Sequence, residues 1–169
     1  MDLTSPSAVE TLARLRWDVF ASLTLRGNLT RPHRAHGLLW QWCRQASVLG
    51  EAPCYSRMLI AVREEFGEIG RRPHFHVLLG GMGASNLTTT CYKLRYCWGS
   101  VLKAGFCDCR MWDAAQVGCV SYLLKTLGAD SYELGKFGWS DGVTLSSSVG
   151  RVVRSLERMG SDATTCAVR

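Results

Sequence analysis

The chain has 169 residues, of which 47% are hydrophobic and 20% are charged. It is therefore long enough for a single domain with a hydrophobic core, and its composition excludes disordered and collagen-like classes. The longest stretch without a charged side chain, residues 73–92, contains histidines, glycines, serines and threonines, so we expect no membrane span. The sequence does not begin with a basic segment followed by an apolar stretch, the pattern of a secretion signal. We therefore expect a cytoplasmic protein.

The chain is basic and rich in arginine. Lysine and arginine give it a net charge of +6, and sixteen of the twenty cations are arginines. Arginine suits bidentate contact with phosphate, so the charge is compatible with a nucleic-acid partner, although many proteins without such a partner share it. The eight cysteines contain no CxxC pair, which indicates reduced and mostly buried thiols. Cys107 and Cys109 would share a strand face, but no second pair has the spacing of a metal site.

The first half of the chain alternates between short apolar runs and one longer amphipathic segment. We predict a helix over 7–15, a strand over 19–25, a helix over 33–48 and strands over 55–65 and 74–79. Apolar residues among polar ones after Pro32 favour the second helix, and Gly50 ends it. The glycines at 67 and 70 indicate a turn between the last two strands.

The second half predicts a helix capped by Ser85 or Asn86 that continues to about residue 103. A strand over 107–112, a helix from Asp113 to about 127 and a short basic helix over 151–159 follow. This order predicts a single α+β domain in which a central, mainly antiparallel sheet of about five strands is flanked by helices on one face. We expect a lead-in over 1–17, the domain over 18–160 and a loose tail over 161–169.

The strand over 74–79 carries the sharpest chemical signal. Successive side chains of a strand alternate between its faces, so His74 and His76 point to the same side. Two neighbouring imidazoles can hold a metal ion, although an HxH pair also occurs as ordinary core or surface histidines. A hairpin would return one acid of the preceding strand beside them, and a carboxylate with two imidazoles can hold Mn²⁺, Mg²⁺ or Zn²⁺. Glu64 and Glu65 face opposite sides, so only one of them can serve, with Glu68 as the fallback.

A second signal lies on the helix predicted to begin at Asp113. Tyr122 and Lys125 are three residues apart and would share one helix face. An ammonium beside a phenol favours the phenolate and can contact a phosphate. The YxxK pattern alone is common, and it gains meaning because it follows the HxH pattern.

These motifs resemble the HUH endonucleases, the rolling-circle replication initiators, in particular the compact proteins of circular single-stranded DNA phages and plasmids. FASLTL at 20–25 is similar to the first family motif, EFGEIGRRPHFH at 65–76 to the second, and Tyr122 with Lys125 to the third. The resemblance covers about residues 18–126. It implies a ferredoxin-like or RRM-like fold and a metal-dependent DNA nickase and strand transferase.

Carried over to this chain, the resemblance implies that His74, His76 and Glu65 hold a divalent ion, Mn²⁺ or Mg²⁺. Tyr122 would be the nucleophile that forms a 5′-phosphotyrosine and frees a 3′-OH, and Lys125 would orient or neutralise the phosphate. No second tyrosine lies one helical turn away, so the chain resembles the single-tyrosine class. It contains no GxxxxGK[ST] motif, so unwinding would come from a host helicase or from a supercoiled or single-stranded template.

The expected partners are single-stranded or stem-loop origin DNA together with a host helicase and polymerase, in a bacterial cytoplasm. Backbone phosphates would contact basic side chains near the site, for which Arg26, Arg71 and Arg72 are candidates, each of which can equally be a solvated cation. Most tryptophans are expected to be packing residues. Three alternatives stay open: a single-tyrosine transposase or relaxase, a zinc hydrolase in which Tyr122 is incidental, and a non-catalytic DNA-binding domain.

Overall fold

The computed structural model describes residues 6–27, 31–66, 73–113 and 143–155. The helices and strands of these ranges are α1 (Pro6–Ala13), β1 (Val19–Leu25), α2 (Pro32–Leu49), β2 (Leu59–Phe66), β3 (Pro73–Gly80), α3 (Leu87–Tyr96), β4 (Gly105–Met111), β5 (Val143–Leu145) and α4 over 147–155. The strands form one five-stranded sheet, and all of its neighbouring strands are antiparallel. The predicted α+β class, with a single antiparallel sheet flanked by helices, is confirmed.

The strand order is β4-β1-β3-β2-β5, which puts β3 at the centre. Its neighbours β1 and β2 both lie antiparallel to it, so a side chain of β3 has a cross-strand partner on each side. Position 76, for example, pairs with Ser22 of β1 and with Arg63 of β2. Side chains of paired residues lie side by side on the same face of the sheet, so three strands contribute to the surroundings of each histidine.

The two faces of the sheet bury different sets of apolar residues. On the first face, Phe75 and Val77 of β3 pack in the larger core cluster together with residues of α2 and α3. On the second face, Leu78 packs with Phe20 and with Val149 of α4. The expectation that helices cover one face is therefore wrong. Along β3 the residues on this face change from histidine at 74 and 76 to leucine at 78, so the second face is polar at one end and apolar at the other.

Two tryptophans anchor the larger cluster. The rings of Trp42 and Trp98 meet edge to face at 6.4 Å, and both side chains are fully buried. Their indole N–H groups donate to backbone carbonyls, Trp42 to Leu94 O at 3.1 Å and Trp98 to Thr24 O at 3.2 Å. Trp98 thereby ties the end of β1 to the segment after α3, and both tryptophans are packing residues, as expected for most of the tryptophans.

Three predicted boundaries differ from the structure. The strand predicted over 55–65 begins at Leu59, because a 3₁₀ turn at Tyr55–Arg57 precedes it. The helix predicted to reach residue 103 ends at Tyr96 and continues as a π-helical turn over Cys97–Val101. Asn86 is its N-cap, since its Oδ1 accepts from Thr89 N at 2.9 Å.

At the C-terminal side, the structure adds a strand that the sequence did not predict. The short edge strand β5 pairs with β2, and the helix predicted over 151–159 already begins at 147. The predicted helix over 114–127 lies outside the described residues. No described helix has the length and apolar character required to cross a membrane.

Candidate metal centre

The polar end of the second sheet face brings one acid to the two predicted histidines. The register of β2 and β3 pairs Glu65 with His74 and Arg63 with His76, so these side chains project from the same face. Oε1 of Glu65 lies 2.7 Å from Nε2 of His74 and 2.9 Å from Nε2 of His76. The imidazole rings meet nearly at right angles with their centres 4.8 Å apart.

The three side chains present their donor atoms to one point. One ligand atom from each lies within 4.8 Å of the others, and no second group of three histidine, cysteine or acidic side chains with this spacing occurs among the described residues. Glu65, His74 and His76 are called the triad below. Two imidazoles and one carboxylate are a donor set for divalent ions that leaves positions open for a substrate oxygen. The residues present therefore fit the predicted divalent ion.

Glu64 lies on the other side of the sheet. Its Oε1 is 2.8 Å from Nε2 of His36 on α2, and its side chain is almost fully buried. The ring of His36 also packs near Phe75 at a centre distance of 6.0 Å. Of the two neighbouring acids that the sequence left open, the structure places Glu65 with the histidines. The fallback Glu68 lies outside the described residues.

Two residues of β1 hold the ring of His76. Ser22 Oγ is 3.0 Å from Nδ1 of His76, and the ring of Phe20 lies parallel to the imidazole at 6.0 Å with an interplanar angle of 12°. The hydroxyl can donate to an unprotonated Nδ1 or accept from a protonated one, so it satisfies this atom in either tautomer. Nε2 is thus kept facing Glu65, as a second contact to a metal-ligating histidine should do.

Arg63 adds a positive charge beside the carboxylate. Its Nε lies 3.5 Å from Oε2 of Glu65, and its side chain is nearly buried. The carboxylate therefore directs one oxygen to the histidines and the other toward the guanidinium. The attraction between the guanidinium and Oε2 favours the orientation in which Oε1 faces His74 and His76.

Burial lowers the pKa of His76 below its ordinary value, more than the nearby Glu65 carboxylate raises it, and the positive charges of His74 and Arg63 act in the same direction as burial. A lowered pKa keeps the imidazole neutral at neutral pH. The neutral form is the one that binds a metal ion. The electrostatics of His76 therefore favour ligation over a permanent ion pair with Glu65.

Sequence reasoning missed Ser22, Arg63 and His36 as contributors to this region. Ser22 had a signal, because alternation in β1 puts it on the same face as Phe20 and Thr24. The sequence contains no signal for Arg63, because its place beside Glu65 depends on the β2–β3 register. It contains none for His36 either, because its contact with Glu64 joins residues 28 positions apart.

Of the other predicted site residues, Arg26 is exposed after the end of β1. Tyr122, Lys125, Arg71 and Arg72 lie outside the described residues, so their roles stay predictions. Five of the six described cysteines are buried, as predicted, and burial raises the pKa of Cys43 to about 12. Trp112 is half-buried and packs against the apolar residues of the second face, among them Phe20 and Leu78.

Comparison of the chain with family models, curated proteins and solved structures found no match. The resemblance to the HUH endonucleases therefore depends on the motif residues and on the triad.

Proposed function

We propose that the protein is a site-specific single-stranded DNA endonuclease and ligase that initiates rolling-circle replication. The observation that carries this proposal is the convergence of Glu65, His74 and His76 on one face of the sheet, with Oε1 shared between the two imidazoles. The order of the three motifs along the chain and the arginine-rich charge of +6 support it.

In this proposal the triad would hold a divalent ion, Mn²⁺ or Mg²⁺. The ion, when bound, supplies positive charge for a non-bridging oxygen of the scissile phosphodiester. Ser22 and Phe20 keep the His76 imidazole aimed at this position, and Arg63 restrains the Glu65 carboxylate. The three strands that carry these residues form a rigid support, as a preorganised site requires.

Tyr122 is the proposed nucleophile. Its phenolic oxygen forms a bond to phosphorus, the bond between phosphorus and the 3′ oxygen breaks, and the electron pair of that bond goes to the 3′ oxygen. The phenolic proton is lost to solvent or a base, and the leaving oxygen takes up a proton to become a free 3′-OH. Lys125 orients or neutralises the phosphate. Because one ester replaces another, the reverse reaction can reseal the strand.

The proposed partners follow from this product. The free 3′-OH is a primer for a polymerase, and the substrate is a single-stranded or stem-loop origin, because the reacting backbone must be accessible. A host helicase would unwind the duplex, and a bacterial cytoplasm would supply both partners. A single-tyrosine transposase or relaxase would use the same residues and differ in the DNA it recognises.

The test is a transfer of label to protein. Single-stranded oligonucleotides of randomised sequence, labelled at the 3′ end, are incubated with the protein and Mn²⁺ and separated on a denaturing gel. We expect the label to migrate with the wild-type protein, to require Mn²⁺, and to vanish in Tyr122→Phe. Tyr132→Phe is the matched control, since it removes a phenol ten residues further along the sequence that the proposal does not use.

Two results would overturn the proposal. Cleavage that survives in Tyr122→Phe without label on the protein would indicate hydrolysis by metal-bound water, as in a zinc hydrolase with two histidines and a glutamate. Sequences that the protein enriches from the pool by binding, yet does not cleave, would indicate a non-catalytic DNA-binding domain.

A further inference from the structure

An exposed phenylalanine lies in line with the triad on the second sheet face. The register of three strand pairs aligns Phe106 of β4 with Thr24 of β1, Thr24 with His74 of β3, and His74 with Glu65 of β2. These four residues form one row across the sheet. Adjacent strands are ~4.8 Å apart, so the backbone of Phe106 is ~10 Å from that of His74.

Phe106 is exposed although it belongs to a strand of the sheet. Its side chain is 70% exposed, whereas Cys107 and Cys109 alternate with it and are buried on the first face. Singly exposed apolar residues are ordinary at a protein surface. The position of Phe106 in the row of the triad distinguishes it from Val48 and Val101, exposed residues of α2 and of the π-helical turn.

The surroundings of Phe106 are polar and mostly basic. Arg110 lies four residues along β4 on the same face, with its guanidinium 5.2 Å above the centre of the Phe20 ring, and Arg26 is exposed after the end of β1. Asp108 lies between Phe106 and Arg110, and Nη2 of Arg95 is 3.4 Å from its carboxylate. A flat apolar side chain among cations fits a polyanion with flat apolar groups. Single-stranded nucleic acid has this chemistry, because its bases stack on aromatic side chains and its phosphates bind cations.

We infer that Phe106 is a base-stacking residue, which binds the face of a nucleobase next to the phosphodiester at the triad. The inference rests on the proposed function, since it takes the triad as the place where the backbone is held. A stacked base would fix the strand across β4, β1 and β3, so that its neighbouring phosphate lies over His74. Stacking does not depend on base identity, so Phe106 would contribute affinity and position, while sequence choice would come from other contacts.

Photochemical cross-linking tests this contact. Oligonucleotides with 5-iododeoxyuridine are bound to Tyr122→Phe protein in EDTA, so that neither metal nor tyrosine chemistry contributes, then irradiated, and the cross-linked residue is identified by mass spectrometry. We expect cross-links at residue 106. We expect Phe106→Ala to lose them and to weaken binding of the oligonucleotide about 5- to 140-fold, the range for one lost base stack, while Phe106→Trp retains tight binding.

Tyr92→Ala is the matched control, because Tyr92 is 64% exposed and lies on α3, the helix that packs against the first face. Equal affinities of Phe106→Ala and wild type, or an equal loss in Tyr92→Ala, would overturn the inference. A changed oligomeric state of Phe106→Ala with unchanged DNA affinity would also overturn the inference. It would indicate that Phe106 forms a contact between copies of the chain at the edge strand β4. Absence of label transfer to Tyr122 in Mn²⁺, with residue 106 still cross-linked, would refute the nickase and leave the stacking contact standing.

Discussion

Glu64 and Glu65 are consecutive residues of β2, yet their carboxylates contact histidines on opposite faces of the sheet. Glu64 lies 2.8 Å from His36 of α2, and Glu65 lies 2.7 Å from His74 of β3. Strand alternation makes this separation obligatory. Each acid is therefore a control for the other, because the same change from glutamate to glutamine can be made on either face of one strand.

We expect Glu65→Gln to lower the affinity for Mn²⁺ by more than tenfold, because the charged ligand oxygen between His74 and His76 is replaced by a weaker neutral one. Glu64→Gln should retain the wild-type affinity within about threefold, because its side chain lies on the opposite face of the sheet, against His36. Isothermal titration with Mn²⁺ measures both. Equal losses in the two variants would contradict the assignment of Glu65.

The sequence predicted that His74 and His76 share one face, but it did not decide which of Glu64 and Glu65 lies beside them. The period of a strand suffices to put His74 and His76 on one face, and it also separates Glu64 from Glu65. Which acid shares the histidine face depends on the β2–β3 register, which alternation within a single strand does not specify. The strand over 19–25 was predicted with its observed boundaries because it is a continuous run of β-forming residues. The three-residue strand β5 was missed because it is too short to show a period.

Ser22→Ala should weaken Mn²⁺ binding about tenfold, the lower end of the range for a second contact to a ligating histidine. The variant removes the hydroxyl 3.0 Å from Nδ1 of His76 and leaves the ring free to turn away from Glu65. Ser22→Thr retains a hydroxyl and should restore most of the affinity. A purely structural role would lower the melting temperature of Ser22→Ala without this pattern of metal affinity, so both are measured for the two variants.

Gly105 should not tolerate a side chain. Its φ is +156°, and a Cβ there would clash with the carbonyl oxygen of Thr24, the oxygen that accepts from Trp98. We expect Gly105→Ala to lower the free energy of unfolding by about 2 kcal/mol or more, through strain at a backbone conformation reserved for glycine. Gly37→Ala in α2 is the control, because nothing lies within 4 Å of its added Cβ, and it should be stabilising by about 0.5–1 kcal/mol. Urea unfolding of both variants tests the contrast.

Cys54 should be the first of the described cysteines to react with iodoacetamide. It is exposed, and its hydrogen bond with Ser56 lowers the pKa of its thiol below 9.0. Burial raises the pKa of Cys43 to about 12, and the thiolate is the reactive form. Peptide mapping after brief alkylation over a pH series should show Cys54 modified at lower pH than Cys43. Ser56→Ala should shift the Cys54 profile to higher pH, and an unchanged profile would contradict the role of this hydroxyl.

The His36–Glu64 pair should stabilise the fold more in acid than in base. Its hydrogen bond with Glu64 raises the pKa of His36 above 6.5, although burial opposes this. A histidine whose pKa is raised on folding contributes stability that is fully present below its unfolded pKa and is lost as the pH rises through its folded pKa. The difference in melting temperature between wild type and His36→Gln should therefore be largest below pH 6.5 and shrink above the raised pKa. A difference that grows with pH would show that the neutral imidazole is the form that the fold prefers, and that burial of His36 outweighs its contact with Glu64.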